Sequence, residues 1–570
     1  MLGTRRPPRL RWLVALAVLA APFVPIGNHR AAAAEPQITR VIRLPMADGV
    51  ELEINLGGRG PLDNGRLPQR PVIAEFSPYG QSCCAEWAGP DFNYLQVHIR
   101  GTGDSDGSFD SLGIQSQRDT AAVLAWACRQ PWSNGRLGLY GFSASAIMVY
   151  NSLHLPLPCV QSAVLGAGTH ELYRDLMVPG GVPNFLPALG VLALIGAPSL
   201  AAGPARLQRA PLTALTTFKG MFEMGRSFQK HPRLDSWWRE RGMRGNVNKI
   251  PILMVTGFYD VESRGPFEAF KELRSEGAHL MVVGAHDGVP AGTGGSDATR
   301  RRWFDRFLRG VDNGVDREPA VQLWMSDGDR EDMLAGRFVK TAADNWPVPG
   351  TRWASLSLDA DRSLHFGAGK PARHSYVEVP SLPTATDPHT TALLGYFNNM
   401  PALTNMTIPE SLGLSYTTKP FASDVVAAGP ASLELDLSSS AHQTDVWAVI
   451  SDVSPDGKAH PVATGRLRTS YPEIDRARSL VDATGAIVQP YGRYDRYRPA
   501  PIGEVRRYRV EFWPIGNRFR AGHRLRLHVL GASAYSSPHT PIVNTVRVGG
   551  PNGSRLLLPV LPGSNLAFAP

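Results

Sequence analysis

Apolar runs of strand length alternate with helical patterns between residues 38 and 287. This order predicts a mostly parallel β-sheet that is covered by helices on both faces. The first run, 38–56, is a predicted hairpin that turns at Ala47-Asp48-Gly49. The other predicted strands are 70–79, 94–100, 136–140, 159–168, 251–260 and 279–287. The predicted helices are 118–130, 145–153 and 267–277.

The alternation stops between Gly168 and Ile250 and does not return after residue 318. The first interruption predicts a helical cap over residues 168–247, inserted into an α/β core of residues 35–167 and 248–316. Its apolar run 186–203 contains Pro187, Gly190 and Pro198, which disfavour a single membrane span. From residue 317 to 570, short strands separated by turn clusters indicate an antiparallel β-sandwich.

The first 34 residues have the pattern of a secretory signal peptide. A basic start, MLGTRRPPRLR, precedes the apolar stretch WLVALAVLAAPFVPIG and the small residues AAAA. Export with cleavage near Ala34 is therefore expected, by either the general or the twin-arginine route. An uncleaved membrane anchor is the alternative, but the apolar stretch is short for a span.

The net charge of +9 falls to +4 once the five arginines of this leader are discounted. Nucleic-acid binding is not expected, because no basic run occurs elsewhere. The chain has four cysteines, Cys83, Cys84, Cys128 and Cys159. None has the spacing of a zinc site, and we expect neither a metal nor an organic cofactor. Of the three conceivable disulfide pairings, the positions near neighbouring element edges favour Cys128–Cys159.

Two serines lie in candidate nucleophile motifs. Ser105 in GDSDG fits G-x-S-x-G, but turn residues follow it where a helix should begin. Ser143 in GFSAS lies between the predicted strand RLGLY and the predicted helix SAIMVYNSL, with small residues two positions to either side. A nucleophile elbow needs this strand–turn–helix context, so Ser143 is the predicted nucleophile. Ser145 is less suitable because Ile147 would crowd its turn.

An activated serine also needs a base and an acid that orients the base. In this type of sheet the chain order is serine, acid, histidine. Asp260 follows the strand PILMVTGFYD and His286 follows HLMVVGAH, which places both at the same sheet edge as Ser143. Ligands bind at this edge in open α/β sheets. The sequence therefore predicts the triad Ser143, Asp260 and His286.

Several motifs together resemble the CocE/NonD serine hydrolases, the group of cocaine esterases, X-Pro dipeptidyl-peptidases and α-amino acid ester hydrolases. They are PMADGVELE, SPYG, RGTGDSDGSF, QPWSNGRLGLYGFSAS, HPRLDSWWRERG, IPILMVTGFYD, GPASLELDLSSS, TDVWAVISDVSPDGKA and FRAGHRLRLHVLGASAY. The resemblance runs from about residue 40 to the C-terminus.

The resemblance implies an α/β-hydrolase core, a helical cap and a C-terminal jelly-roll sandwich. It also implies that the Tyr79 hydroxyl and the Ala144 backbone N–H form the oxyanion hole. The chain departs from the family at Ala144, Ser145 and Ala146, where Tyr after the nucleophile and Gly two positions later are usual. The segment GAHD before and at His286 is shorter than usual.

The expected activity is hydrolysis of a small-molecule ester or amide through an acyl-enzyme. A peptidase-like preference for a free α-amine would need carboxylates, for which Glu86, Glu171 and Asp175 are candidates. The apolar run 186–203 favours a hydrophobic acyl group. The alternative is a catalytically silent secreted binding protein whose sandwich contacts polysaccharide or a cell surface. The oligomeric state does not follow from the sequence.

Overall fold

The computed structural model describes residues 37–59, 62–64, 66–79, 88–184, 190–196, 208, 219–284, 296–328, 337–378, 410–531 and 541–569. Several predicted features lie outside these residues. They are the leader 1–34, Cys83, Cys84, Glu86, His286 and most of the apolar run 186–203.

The predicted sheet is present, and most of its neighbouring strands run parallel. The hairpin β1–β2 is antiparallel and continues through an antiparallel pair into β4, after which the order β4-β3-β5-β6-β7-β8 is parallel. Most positions of β3 to β8 are buried, which explains their nearly continuous apolar sequence. The strands are β1 Gln37–Pro45, β2 Glu51–Gly58, β3 Arg70–Ser77, β4 Asn93–His98, β5 Ser133–Phe142, β6 Val160–Gly166, β7 Ile252–Gly257 and β8 His279–Val283.

Helices cover both faces of this sheet. Alternate residues of one strand show the two layers, because Val72 packs into the core on one face and Ile73 into the core on the other. The first face carries α1 Ile114–Ala127, α2 Ala144–Ser152 and α5 Arg264–Leu273. The second carries α6 Ser296–Phe304, which continues as a π-helical turn Asp305–Arg309. The predicted α/β class is therefore confirmed.

The described residues between Gly168 and Ile250 form short helical segments. This agrees with the predicted departure from the sheet. The segments are π-helical turns at Tyr173–Met177 and Val191–Gly196, a 3₁₀ turn at Pro179–Gly181, α3 Ser227–Lys230 and α4 Ser236–Arg239. Across the described part of the chain, no helix is long and apolar enough to cross a membrane.

The strand β9, Val321–Ser326, differs from the sequence-based expectation. It was expected to belong to the antiparallel sandwich, but it pairs in parallel with β8 and extends the core sheet. Its other side pairs with β10, Phe338–Ala343, and Ser326 bridges to Asn517 in the C-terminal region. Hydrogen bonding therefore continues from the core sheet into the β domain.

The C-terminal β domain consists of antiparallel strands. Its longest strand, β15, pairs with β20 along one edge and with β23 and then β22 along the other edge. The remaining strands are β11 Arg352–Leu358, β12 Leu364–His365, β13 Ala372–Glu378, β14 Leu414–Thr417, β15 Val425–Ser439, β16 Asp445–Val453, β17 Ala459–Arg468, β18 Leu480–Val481, β19 Ile487–Gln489, β20 Arg506–Phe519, β21 Arg524–Gly531, β22 Ile542–Val548 and β23 Arg555–Val560.

A disulfide joins Cys128, the residue after α1, to Cys159, the residue before β6. This is the favoured pairing of the sequence analysis. Because the two cysteines are separated by 31 positions, the bond closes a loop that contains β5 and α2.

Candidate active site

Ser143 lies in the sharp turn between β5 and α2. Its backbone has φ 52° and ψ −120°, a conformation that costs energy for any residue other than glycine. The turn is fixed by the Ser143 N–H, which donates to the Gly166 carbonyl at 2.9 Å, and by the Ile147 N–H, which donates to the Ser143 carbonyl at 3.0 Å. The Ser143 side chain does not cap the helix. A strained serine at the start of a helix is the geometry of a nucleophile elbow.

Small residues allow this turn to close. A Cβ atom on Gly141 would lie 2.5 Å from the backbone N and Cα of Ala146. A Cβ on Gly168 would lie 2.5 Å from the Ala146 side chain and 3.1 Å from the Ser143 carbonyl oxygen. The sequence GFSASA therefore satisfies the steric requirement although Ala146 replaces the family's usual glycine.

Tyr79 and Ala144 meet beside Ser143. The Ala144 N–H donates to the Tyr79 hydroxyl oxygen at 3.2 Å, and the Tyr79 N–H donates to Ser77 Oγ at 3.1 Å. Burial raises the pKa of the Tyr79 hydroxyl to about 12, opposed by hydrogen bonds with Ser143 and Ala144. The phenol therefore stays protonated at neutral pH and can donate a hydrogen bond. Both predicted oxyanion donors thus lie at the elbow.

Asp260 lies three residues beyond the end of β7 and is fully buried. Its Oδ1 accepts a hydrogen bond of 3.0 Å from the Glu262 N–H, and its carbonyl accepts one of 3.2 Å from the Ser263 N–H. These bonds hold the carboxylate at the carboxyl edge of the sheet, which is also the edge where β5 delivers Ser143.

His286 lies outside the described residues, but the chain is described as far as Gly284. The Gly284 carbonyl accepts a hydrogen bond of 3.1 Å from the N–H of Tyr259, the residue before Asp260. The preceding residue, Val283, accepts one of 3.0 Å from the Phe258 N–H. The segment that leads to His286 is therefore tied to the segment that carries Asp260.

Ser105, the competing serine, has a structural role. It is fully buried. Its Oγ accepts a hydrogen bond of 2.8 Å from the Glu53 N–H and donates one of 2.7 Å to the His98 carbonyl. The neighbouring Asp106 forms a 2.7 Å ion pair with Arg43 of β1. The GDSDG segment therefore fastens the end of β4 to the first hairpin.

The site contains two buried carboxyl groups that the sequence analysis did not single out. Glu75 lies near the end of β3 and accepts a hydrogen bond of 3.2 Å from Ser145 Oγ. Glu262 lies two residues after Asp260 and is 3% exposed. Burial, with Asp260 and Asp175 nearby, raises the pKa of Glu262 well above its ordinary range. The sequence signal that could have indicated Glu75 was an acidic residue inside the mostly apolar run RPVIAEFSPY.

The two described candidates for amine binding are occupied by other contacts. Arg264 Nη1 donates to Asp175 Oδ1 at 2.6 Å, and His170 Nδ1 lies 2.9 Å from Asp175 Oδ2. Although burial opposes ionisation, His170 and Arg264 hold the pKa of Asp175 well below its ordinary range. Glu171 forms an ion pair with Arg174, with an Nη1–Oε2 distance of 2.6 Å. Neither carboxylate is therefore available as an unpaired charge.

Arg264 also connects the core to the C-terminal β domain. Its Nε donates to Glu511 Oε1 at 2.9 Å, and Gln489 Nε2 donates to the same carboxylate oxygen at 2.9 Å. Arg264 is 2% exposed and Asp175 is 0% exposed, so the charges compensate one another inside the protein. The network joins residues of the segment between β6 and β7, of α5 and of the β domain.

Comparison with known proteins identifies the class. Residues 48–288 match the model of the X-Pro dipeptidyl-peptidase S15 family. Residues 313–548 match the model of the X-Pro dipeptidyl-peptidase C-terminal non-catalytic domain. A cocaine esterase from Rhodococcus sp. (strain MB1 Bresler) is 24% identical over 551 residues, which covers 86% of this chain and 89% of the esterase.

Solved structures share the same fold. A CocE/NonD family hydrolase from Staphylococcus aureus has a TM-score of 0.71 and 20% sequence identity, and the match covers 92% of this chain and 94% of that chain. An α-amino acid ester hydrolase has a TM-score of 0.71 and 16% identity, with 95% of this chain and all 100% of that chain covered.

The fold and the two family matches define an α/β-hydrolase with a C-terminal β domain, and the protein is a serine hydrolase. More particularly, the two matched models are those of the X-Pro dipeptidyl-peptidase S15 family and of its C-terminal domain, and the chain is similar to a cocaine esterase and to a CocE/NonD family hydrolase. The resemblance seen in the sequence is therefore confirmed.

Proposed function

We propose that the protein is an exported serine hydrolase that cleaves small ester or amide substrates through an acyl-enzyme. The observation that carries the proposal is the strained backbone of Ser143, next to which the Tyr79 hydroxyl and the Ala144 N–H meet. An energetically costly turn at a serine is typical of a nucleophile elbow rather than of a structural turn.

In the proposed reaction Ser143 Oγ attacks the substrate carbonyl while His286 takes its proton. His286 then gives that proton to the leaving alcohol or amine, and the bond to the leaving group breaks to form the acyl-enzyme. Water attacks the acyl-enzyme with His286 again as the base, and this releases the acid and restores Ser143. Asp260 holds the imidazole in the tautomer that can accept the serine proton.

Tyr79 and Ala144 are the proposed oxyanion donors. The Ala144 N–H and the Tyr79 hydroxyl are directed into one small volume, because the first donates to the oxygen of the second. A carbonyl oxygen placed beside this pair, within reach of both groups, would receive both donors in place of their mutual hydrogen bond. Such donors act mainly on the tetrahedral intermediate, where the negative charge develops.

The described carboxylates favour substrates without a free α-amine. Asp175 and Glu171 are held by arginines. Burial, with Asp260 and Asp175 nearby, raises the pKa of Glu262 well above its ordinary range and so disfavours its charged form. An ester or amide with a blocked or absent amine therefore avoids the need for an additional anionic partner. Comparison of kcat/KM for one ester with its amine free and acetylated would test this preference, since a strong preference for the free amine would contradict it.

We also propose the domain boundaries and the export that were expected from the sequence. Residues 35–167 and 248–316, extended by β9, form the catalytic domain, residues 168–247 form the helical cap, and the rest of residues 317–570 forms a jelly-roll domain that walls the cleft. Cleavage of the leader near Ala34 delivers the enzyme outside the cytoplasm. Mass spectrometry of the mature N-terminus, after expression in a secreting host, would test this part.

A fluorophosphonate probe tests the proposed chemistry. The wild-type protein should form a covalent adduct at Ser143, located by peptide mass spectrometry, and should hydrolyse nitrophenyl esters. Ser143→Ala should lose both properties, whereas Ser105→Ala should keep the labelling. Absence of labelling in a folded wild-type protein would favour the alternative, a silent binding protein.

A further inference from the structure

The buried Glu75 carboxyl connects the two segments that carry the proposed oxyanion donors. Glu75 lies four residues before Tyr79 on β3 and its following loop. Ser145, whose Oγ donates to Glu75 Oε1 at 3.2 Å, is the residue after Ala144. The hydrogen bond therefore joins the end of β3 to the first turn of α2, immediately beside the contact between Tyr79 and Ala144.

Both partners are enclosed by protein. Glu75 is 4% exposed and Ser145 is 0% exposed. A carboxyl in this position is unusual because the neighbouring positions of β3 are apolar, with Ile73, Ala74 and Phe76 all in the core. A buried carboxylate is costly unless it is paired, so such a group tends to remain neutral.

The charge state of Glu75 matters to the proposed chemistry. A negative charge beside the oxyanion hole would oppose the negative charge that develops in the transition state. The field of Glu75 reaches this site, because it contributes to the rise in the pKa of the Tyr79 hydroxyl. A neutral Glu75 can position the two donors without this penalty.

We propose that Glu75 is a positioning residue for the oxyanion hole, which it supports in its protonated form through Ser145 and opposes once it ionises. This inference rests on the proposed function. The enzyme therefore contains a carboxyl that lowers turnover at alkaline pH.

The surroundings of Glu75 fit this behaviour. Burial raises the pKa of the Glu75 carboxyl to about 7, and the Ser145 hydrogen bond opposes the rise. Titratable groups near it include Tyr79, on the loop after β3, and Tyr140, which is aligned with it on β5. Arg300 lies 5.6 Å from the centre of the Tyr140 ring, and Glu262 acts on Tyr79 from the loop after β7.

The direction in which kcat changes with pH follows from the charge state of Glu75. Below pH ~7 Glu75 is neutral and the oxyanion hole is fully active. Above that pH the neutral fraction falls about tenfold per pH unit, and kcat should fall with it. The histidine base acts in the opposite direction, because imidazole must be neutral and has an ordinary pKa of about 6.5. The wild-type profile should therefore be bell-shaped.

The test measures kcat and KM from pH 5 to pH 9.5 with a nitrophenyl ester. Glu75→Gln keeps an acceptor for Ser145 but cannot ionise, so the alkaline fall should disappear. At pH 8.5, about 1.5 units above that pKa, this variant should exceed the wild type about thirtyfold in kcat with KM little changed. Ser145→Ala removes the bond that lowers the pKa, so its alkaline limb should move to higher pH.

Control variants separate this role from general stability. Ser162→Ala removes a fully buried serine of β6 and should leave the wild-type profile unchanged. Glu75→Ala loses the tie to Ser145 and should lose kcat at pH 6, where the wild-type carboxyl is neutral, and Glu75→Gln should restore it at that pH. An alkaline limb that persists in Glu75→Gln would overturn the inference. If fluorophosphonate fails to label Ser143 in the wild type, the proposed function itself is wrong.

Discussion

The Ala144 N–H donates to the hydroxyl of Tyr79 at 3.2 Å, across 65 positions of sequence. The first group belongs to the residue that begins α2, and the second to the loop after β3. Because β3 and β5 are neighbours in the sheet, their carboxyl ends bring these two groups together. The contact shows how a parallel sheet assembles a site from residues that are distant along the chain.

Removal of the phenol oxygen should affect turnover rather than binding. In Tyr79→Phe we expect kcat to fall about 10²–10³-fold with KM nearly unchanged, because only the transition state carries the full oxyanion charge. Steady-state kinetics with a nitrophenyl ester would measure this. Tyr508→Phe, a buried tyrosine of β20, is the matched control and should keep wild-type kcat. A change confined to KM would argue against the oxyanion role.

The Asp260→Asn variant should fold but turn over slowly. The amide keeps an oxygen that can accept from the Glu262 N–H, yet it stabilises the wrong tautomer of the base. A loss of about 10⁴ in kcat is expected from this effect. Asp452→Asn is the control, since Asp452 is a fully buried acid of the β domain that lies 2.8 Å from His523. Equal losses in the two variants would show that the effect is structural.

The turn at Ser143 should not tolerate a methyl group at Gly141. The added Cβ of Gly141→Ala would lie 2.5 Å from the Ala146 backbone, which has to move for the substitution to fit. We expect loss of fluorophosphonate labelling together with a lower Tm. Gly190→Ala has open space around the added atom and should change neither property. Normal labelling of Gly141→Ala would show that the elbow is looser than its geometry indicates.

Loss of Arg264 should strongly destabilise the folded chain. Arg264→Met leaves Asp175 and Glu511 buried without their shared cation, and the expected cost is about 3–5 kcal/mol. Arg518→Met breaks a pair with Asp327 whose arginine is 31% exposed, and it should cost about 0–1 kcal/mol. Chemical unfolding of both variants would measure the difference. Similar costs would indicate that the Arg264 network contributes no more than a surface pair.

Asp175 should make the protein sensitive to acid. Its pKa is lowered in the folded state by His170 and Arg264, against the effect of burial. The stabilisation is therefore present above the unfolded-state pKa of about 3.9 and is lost as the pH falls below it. Calorimetry from pH 6 to pH 2.5 should show a steep fall in the wild-type Tm. In Asp175→Asn, which starts from a lower Tm, the fall should be shallower, and equal slopes would exclude this contribution.

Local sequence pattern predicted the part of the structure that depends on local chemistry. Buried parallel strands are nearly continuous apolar runs, so β3 to β8 could be recognised. The turn at Ser143 could be recognised because its small residues lie within a few positions. The strand β9 could not be assigned to the correct sheet. Its pairing with β8 depends on packing, and the sequence of β9 does not reveal it.

The buried polar contacts could be identified only from the structure. Arg264 pairs with Asp175 and Glu511 across 89 and 247 positions, and no local pattern marks such partners. Glu75 appeared in the sequence only as an acid within an apolar run. Its contact with Ser145 depends on how β3 and α2 pack. The role of Tyr79 was available from family resemblance alone, since a tyrosine after a strand is not distinctive.

The position of β9 restricts where the chain can be divided. A fragment that ends at residue 316 would lack β9. The edge of β8 that pairs with β9 would then have no hydrogen-bond partners. An unprotected strand of this kind readily pairs with another copy of itself and aggregates. The complementary fragment would begin with a strand whose natural neighbour had been taken away. Separate expression of the two halves should therefore start from a cut after Ala343, which keeps β9 paired with both β8 and β10, and even there the bridge from Ser326 to Asn517 is lost.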